Sequence, residues 1–156
     1  EEKPHRVPGT AVFMTSNPGA PPALIHYFKH AKTLHERILL LTVQTRHVPE
    51  VPESERLTEV VEHGEGVFGA KIVYGFMETP DIPKVLMGMK DHGIAVNPLA
   101  LSFFLGRESL VFTGAAPMSL PRKVFFKVLS QNAMAASSFF RLPPGQVVEL
   151  GIQVEI

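Results

Sequence analysis

Two patterns in the chain have the residue types and spacing to suggest chemistry. His26 and His30 stand one helical turn apart, with His35 close behind. Two imidazoles at that spacing can share a metal ion. A catalytic zinc normally takes three protein ligands, however, and His35-Glu36 lacks the second His of H-E-x-x-H. No acid lies between Glu2 and Glu36 to complete the set. The expectation is surface histidines and no metal site. The second pattern, Gly64-Glu65-Gly66-Val67-Phe68-Gly69, matches G-x-G-x-x-G as a string. A pyrophosphate site needs those glycines to open a helix. Here they lead into Ala70-Lys71-Ile72-Val73-Tyr74, a strand-forming run. A glycine-rich hairpin turn is expected instead.

Nucleophiles and acid–base pairs are scarce. There is no Cys, and Asp occurs only at Asp81 and Asp91, the first suited to cap a helix. Ser16, Ser102 and Ser109 lack the G-x-S-x-G elbow. No catalytic residue, cofactor or enzyme activity is expected. Ser16, Asn17 and Gly19 form the one candidate ligand loop, between a strand and a helix. Ligands of open α/β sheets bind beyond strand C-termini, so a ligand- or nucleotide-sensing module is the alternative reading. Pro21 and Pro22 weaken it, because they remove two backbone donors from the place an anion would occupy.

These residues must be positioned by a single domain of 156 residues. Lys+Arg and Asp+Glu are balanced at 15 each, which argues against nucleic acid as a partner. Only 19% of residues are charged, against about 25% typically. Some apolar surface is therefore expected to be covered, and a homodimer would cover it. Glu50, Glu53, Glu55, Glu59, Glu62 and Glu65 crowd one stretch. Arg122, Lys123, Lys127 and Arg141 fall in a stretch without acids, a candidate face for the membrane or a partner. No membrane span is visible.

Residues 1–8 read as a polar linker or first strand, and 9–156 as the domain. Thr10–Met14 and Ile38–Val43 are uninterrupted apolar runs, the mark of strands covered on both faces. Between them Pro21-Pro22 opens a helix to about Lys32, with Leu24, Phe28 and Ala31 on one face. Strand, helix, strand predicts a parallel crossover. Leu57–His63 and Val67–Tyr74 predict an antiparallel hairpin. A second helix follows from Ile82 to about His92, ended by Gly93, and a third from Ser119 to about Ser138. Leu101–Leu105 and Ser109–Phe112 read as two short strands or a bent pair, with Gly106-Arg107-Glu108 as a turn or sheet-end ion pair. Gln146–Glu155 closes as a strand. The fold class is α/β: one mixed sheet with a parallel β-α-β core, an antiparallel hairpin and about three helices.

Several of these segments carry a family resemblance. Val7-Pro8-Gly9-Thr10-Ala11-Val12-Phe13-Met14-Thr15, Pro22-Ala23-Leu24 and the His26, His30, His35-Glu36-Arg37 spacing come first. Tyr74-Gly75-Phe76-Met77-Glu78-Thr79-Pro80-Asp81, Phe104-Leu105-Gly106-Arg107-Glu108, Pro143-Pro144 and Val147-Val148-Glu149-Leu150-Gly151 follow in order. Together they resemble the cytoplasmic C-terminal domain of the Kup potassium transporters. The resemblance implies a multi-pass parent in the inner membrane that imports potassium with protons. This chain would be its regulatory or dimerisation domain, partnered by its own transmembrane part and near the inner leaflet. The residues that transport potassium would lie outside it.

Overall fold

The computed structural model describes residues 3–15, 20–111 and 140–155. Its strands are β1 (His5–Thr15), β2 (Thr33–Arg46), β3 (Leu57–Gly64), β4 (Val67–Gly75), β5 (Leu101–Val111) and β6 (Val147–Glu155). They form one sheet in the order β3-β4-β2-β1-β5-β6. Only β3 is antiparallel; the other five strands all start at the same end of the sheet. The described helices are α1 (Pro22–Ala31), the single turn α2 (Glu53–Arg56) and α3 (Ile82–Gly88).

The central pair is the expected one. β1 and β2 run parallel, with Val12 beside Leu39 and Phe13 beside Leu40. Ala11, Val12, Phe13 and Leu41 are wholly buried, so the apolar runs do face protein on both sides. On one face Val12, Leu39, Ile72 and Phe103 pack with Ile82, Leu86 and Met89. On the other, Phe13, Ile38 and Phe104 pack with Ala23, Leu24 and Tyr27 of α1. The helix face is thus turned from the expected Leu24/Phe28/Ala31. Tyr27 takes the core position, its ring 4.9 Å from that of Phe104, while Phe28 is 43% exposed. Adjacent aromatics at 27 and 28 left that rotation undecided in the sequence.

Two further differences have local causes. β5 is one strand, not two, because β6 pairs it continuously from Phe103 beside Val147 to Val111 beside Glu155. Gly106-Arg107-Glu108 therefore lies within the ladder rather than at a turn. The second helix narrows into a 3-10 turn at Met89–His92 before Gly93, whose φ of 83° ends it. β1 starts at His5 and pairs with Thr33 of β2, so part of the 1–8 stretch takes the strand alternative of the two expected for it. The expected helix from Ser119 lies outside the described residues.

The glycine string is a hairpin turn. Gly64, Glu65 and Gly66 have φ of 90°, 51° and 80°, the left-handed conformation of a tight β-hairpin. A Cβ on Gly66 would stand 2.2 Å from the Glu36 carbonyl oxygen, so the close approach of β2 requires glycine there.

Candidate functional site

The best-formed polar cluster sits where β4 ends. Gly75 closes that strand, and the chain turns back beside 48–49: Phe76 N–H donates to the Val48 carbonyl and Met77 N–H to that of Pro49. A Cβ on Gly75 would lie 2.2 Å from the Pro49 oxygen. The turn brings Glu78 under the backbone it has just left. Its Oε2 accepts N–H bonds from Gly75 at 2.6 Å and Val51 at 3.0 Å. Its Oε1 meets Arg56 Nη2 at 2.6 Å. The one-turn helix α2, unforeseen in the sequence, is what delivers Arg56 to this position. Its Nη2 also donates to the Val51 carbonyl at 3.0 Å, and its guanidinium carbon lies 4.1 Å from the centre of the Tyr74 ring.

These contacts set the charges. The Arg56 hydrogen bond, followed by the Gly75 N–H, holds the Glu78 carboxyl down at about 2. The same bond raises Arg56 above its ordinary value. Burial raises Tyr74, whose hydroxyl accepts from Asp81 N–H at 3.2 Å. Asp81 then caps α3, its Oδ1 accepting from Lys84 N–H at 3.3 Å. Beside the cluster opens a cleft of about 480 Å³ lined by Arg56, Tyr74, Glu78, Asp81, Lys84 and Arg141. Each cation there already faces a carboxylate: Arg56 with Glu78, Lys84 with Glu53 at 2.7 Å, Arg141 with Asp81 at 3.9 Å. The arrangement is an internally neutralised latch that ties the segment from Val51 to Arg56 to the end of β4 and to α3.

A second polar feature lies under α1. The His35 ring packs 5.9 Å from Phe104 and 6.2 Å from Tyr27, and its Nδ1 is buried without a hydrogen-bond partner among the described residues. Burial lowers its pKa, so the neutral ring is favoured.

The other sequence candidates are dispersed. His26 and His30 are neighbours on α1 with ring centres 6.3 Å apart. Among the described residues no group of three His, Cys, Asp or Glu could hold a metal. Ser16, Asn17 and Gly19 lie outside the described residues, as do Arg122, Lys123 and Lys127. Arg141 is exposed beside Asp81. Arg56 and Glu78 form no chemical motif in the sequence. The available signal was Glu78 inside the Tyr74–Asp81 segment of the resemblance, and Arg56 as the lone cation among six glutamates.

The model of the family described as K+ potassium transporter C-terminal domain matches residues 8–156. The chain belongs to that family. It is 47% identical over 157 residues to a Myxococcus xanthus protein named "Probable potassium transport system protein Kup", covering 100% of this chain and 24% of the relative. It is also 47% identical to Kup 1 of Syntrophobacter fumaroxidans and 46% to Kup of Caulobacter vibrioides, covering 97% and 98% of this chain and 23% of each relative. The chain thus spans about a quarter of the length of the curated relatives it matches. No solved structure matches it. No helix among the described residues is long and apolar enough to cross a membrane.

Proposed function

We propose that this chain is the regulatory C-terminal domain of a potassium-uptake transporter, held on the cytoplasmic face of the membrane and without enzymatic activity. The observation that carries the reading is the family match over residues 8–156, from a family described as the C-terminal domain of a potassium transporter. The place of β1 supports a mechanical role. It lies in the sheet's interior, paired with β2 on one side and β5 on the other. A chain arriving from a preceding transmembrane part would run straight into the most buried strand. Movement of the whole sheet would then be felt at the membrane with little slack. Among the described residues of the cleft, Arg56, Lys84 and Arg141 each face a carboxylate, which favours a mechanical role for this latch over anion binding in it.

Pairing of two copies is part of the proposal. Val48, just after β2, and Phe76 and Met77, on the turn after β4, are 42%, 60% and 72% exposed, and the Phe76 N–H bond to the Val48 carbonyl holds the two segments side by side. An apolar cluster at the ends of the strands, away from the start of β1, suits contact between copies. The reading is tested by measuring potassium uptake of the full-length transporter with and without residues 8–156 at matched membrane abundance. Uptake should fall on removal.

A further inference from the structure

The start of the sheet gathers positive charge that the sequence spreads over 30 positions. Lys3 stands just ahead of β1 and Arg6 at its start, while Lys29 and Lys32 stand at the end of α1, with His5 and His30 beside them. The topology joins them. α1 ends with Lys32 as its left-handed cap, β2 follows at once with Thr33, and Thr33 pairs with His5 while Leu34 pairs with Arg6. Lys3, His5, Lys29, His30 and Lys32 are exposed, and Arg6 is half-buried with one N–H on the His35 carbonyl at 2.9 Å. Favourable interaction with the negative end of the helix dipole accounts for the cations on α1. It does not account for those on the neighbouring strand. No acid occurs from Lys3 through His35. The described acids nearest this end are Glu36, three positions into β2, and Glu65, on the turn that opens β4, which lies on the other side of β2 from β1. Glu1 and Glu2 precede the patch in sequence.

An apolar contact point stands at the same end. Leu99, just ahead of β5, is 92% exposed, and the neighbouring Ala100 carbonyl lies against Gly9 of β1. The Arg141–Asp81 pair is placed differently: it adjoins Tyr74, toward the end of β4, and so lies away from the strand starts. In a transporter whose C-terminal quarter is this domain, the preceding chain enters at β1 and holds the strand-start end nearest the bilayer. We infer that this end, through Lys3, Arg6, Lys29 and Lys32, docks on an anionic lipid surface, with Leu99 reaching its apolar edge. An acidic membrane surface attracts basic side chains held within a Debye length. The tether supplies that proximity and favours lipid over a diffusing acidic protein. The inference rests on the proposed function for the orientation of the domain and adds the surface by which it meets the membrane.

The test uses the full-length transporter in a background without other cysteines. A fluorophore on Lys29→Cys or on Arg141→Cys is read in vesicles containing a headgroup-labelled nitroxide quencher. One vesicle set is phosphatidylcholine alone, and the other has added phosphatidylglycerol. The label at position 29 should be quenched several-fold more in the anionic vesicles, and the difference should vanish in high salt or with Lys32→Glu and Arg6→Glu together. The label at 141 should be quenched little in either. Equal quenching at 29 in both vesicle types, or stronger quenching at 141, overturns the inference. So does a label at 29 that is shielded from aqueous reagents but never quenched by lipid, because that marks a protein contact. Deleting residues 8–156 separates the two readings. Unchanged uptake would defeat the regulatory role while leaving the quenching pattern to decide the membrane contact.

Discussion

Arg56 and Glu78 meet at 2.6 Å with their side chains only 13% and 17% exposed. Each is engaged elsewhere too, Arg56 with the Val51 carbonyl and Glu78 with the N–H groups of Gly75 and Val51. Removing either partner would strand the other in a half-buried site. Glu78→Gln is expected to destabilise the domain by about 2 kcal/mol, and Arg56→Ala by slightly more because the Tyr74 ring also loses its cation. Chemical denaturation of the wild type and both variants checks this. The double variant should cost less than the sum of the singles.

The same carboxyl sets an acid limb. Its folded pKa, about 2, lies below the ordinary carboxylate value, so its contribution is complete above that ordinary value and is lost as pH falls toward the folded one. The stability difference between wild type and Glu78→Gln should be constant from neutral pH to about pH 5 and shrink below it. A gap that stays constant down to pH 3 would mean that the carboxylate's charge is not what stabilises the latch.

His35 predicts a change at milder pH. Burial depresses its pKa, so folding favours the neutral ring, and stability is lost as pH falls from above the ordinary histidine value toward the lower folded one. Wild-type melting temperature should drop between about pH 7 and pH 5, while His35→Leu should be flatter over that range. Equal slopes would assign the drop to other groups.

Much of this architecture is legible in the sequence. Thr10–Met14 and Ile38–Val43 are apolar without alternation because both faces of β1 and β2 are covered. The hairpin was marked by glycines that a left-handed turn needs. The latch was not legible in this way. Arg56 and Glu78 are 22 positions apart, and nothing in a local pattern pairs them. A stretch rich in glutamates reads equally well as a solvated face, and a four-residue helix has no periodicity to detect. The rotation of α1 was lost for a related reason, since Tyr27 and Phe28 offer equally apolar faces.

Two glycines separate steric need from habit. Gly75→Ala places a methyl 2.2 Å from a backbone oxygen and should disrupt the turn, lowering the melting temperature sharply. Gly88 has φ −74° and nothing within 4 Å of an added Cβ, so Gly88→Ala should stabilise the domain by about 0.5–1 kcal/mol. Thermal melts of the two variants side by side make the comparison. A tolerated Gly75→Ala would contradict the close packing of that turn on Pro49.

The apolar turn offers a test of pairing. With Met77→Cys in the full-length protein, mild oxidation should give a disulfide-linked dimer, and Phe76→Glu should abolish it. Cross-linking that is absent at Met77, or unaffected by Phe76→Glu, would remove this surface from the proposed contact.

The central claim is that this domain controls potassium uptake by the protein that carries it. Rubidium uptake, as a tracer for potassium, should be measured in cells lacking other potassium importers that express the full-length transporter, the transporter without residues 8–156, or the Arg56→Ala variant, each normalised to its abundance in the membrane. The expected result is several-fold lower uptake per molecule for the truncated transporter and an intermediate rate for Arg56→Ala. Equal uptake per molecule in all three would contradict the claim.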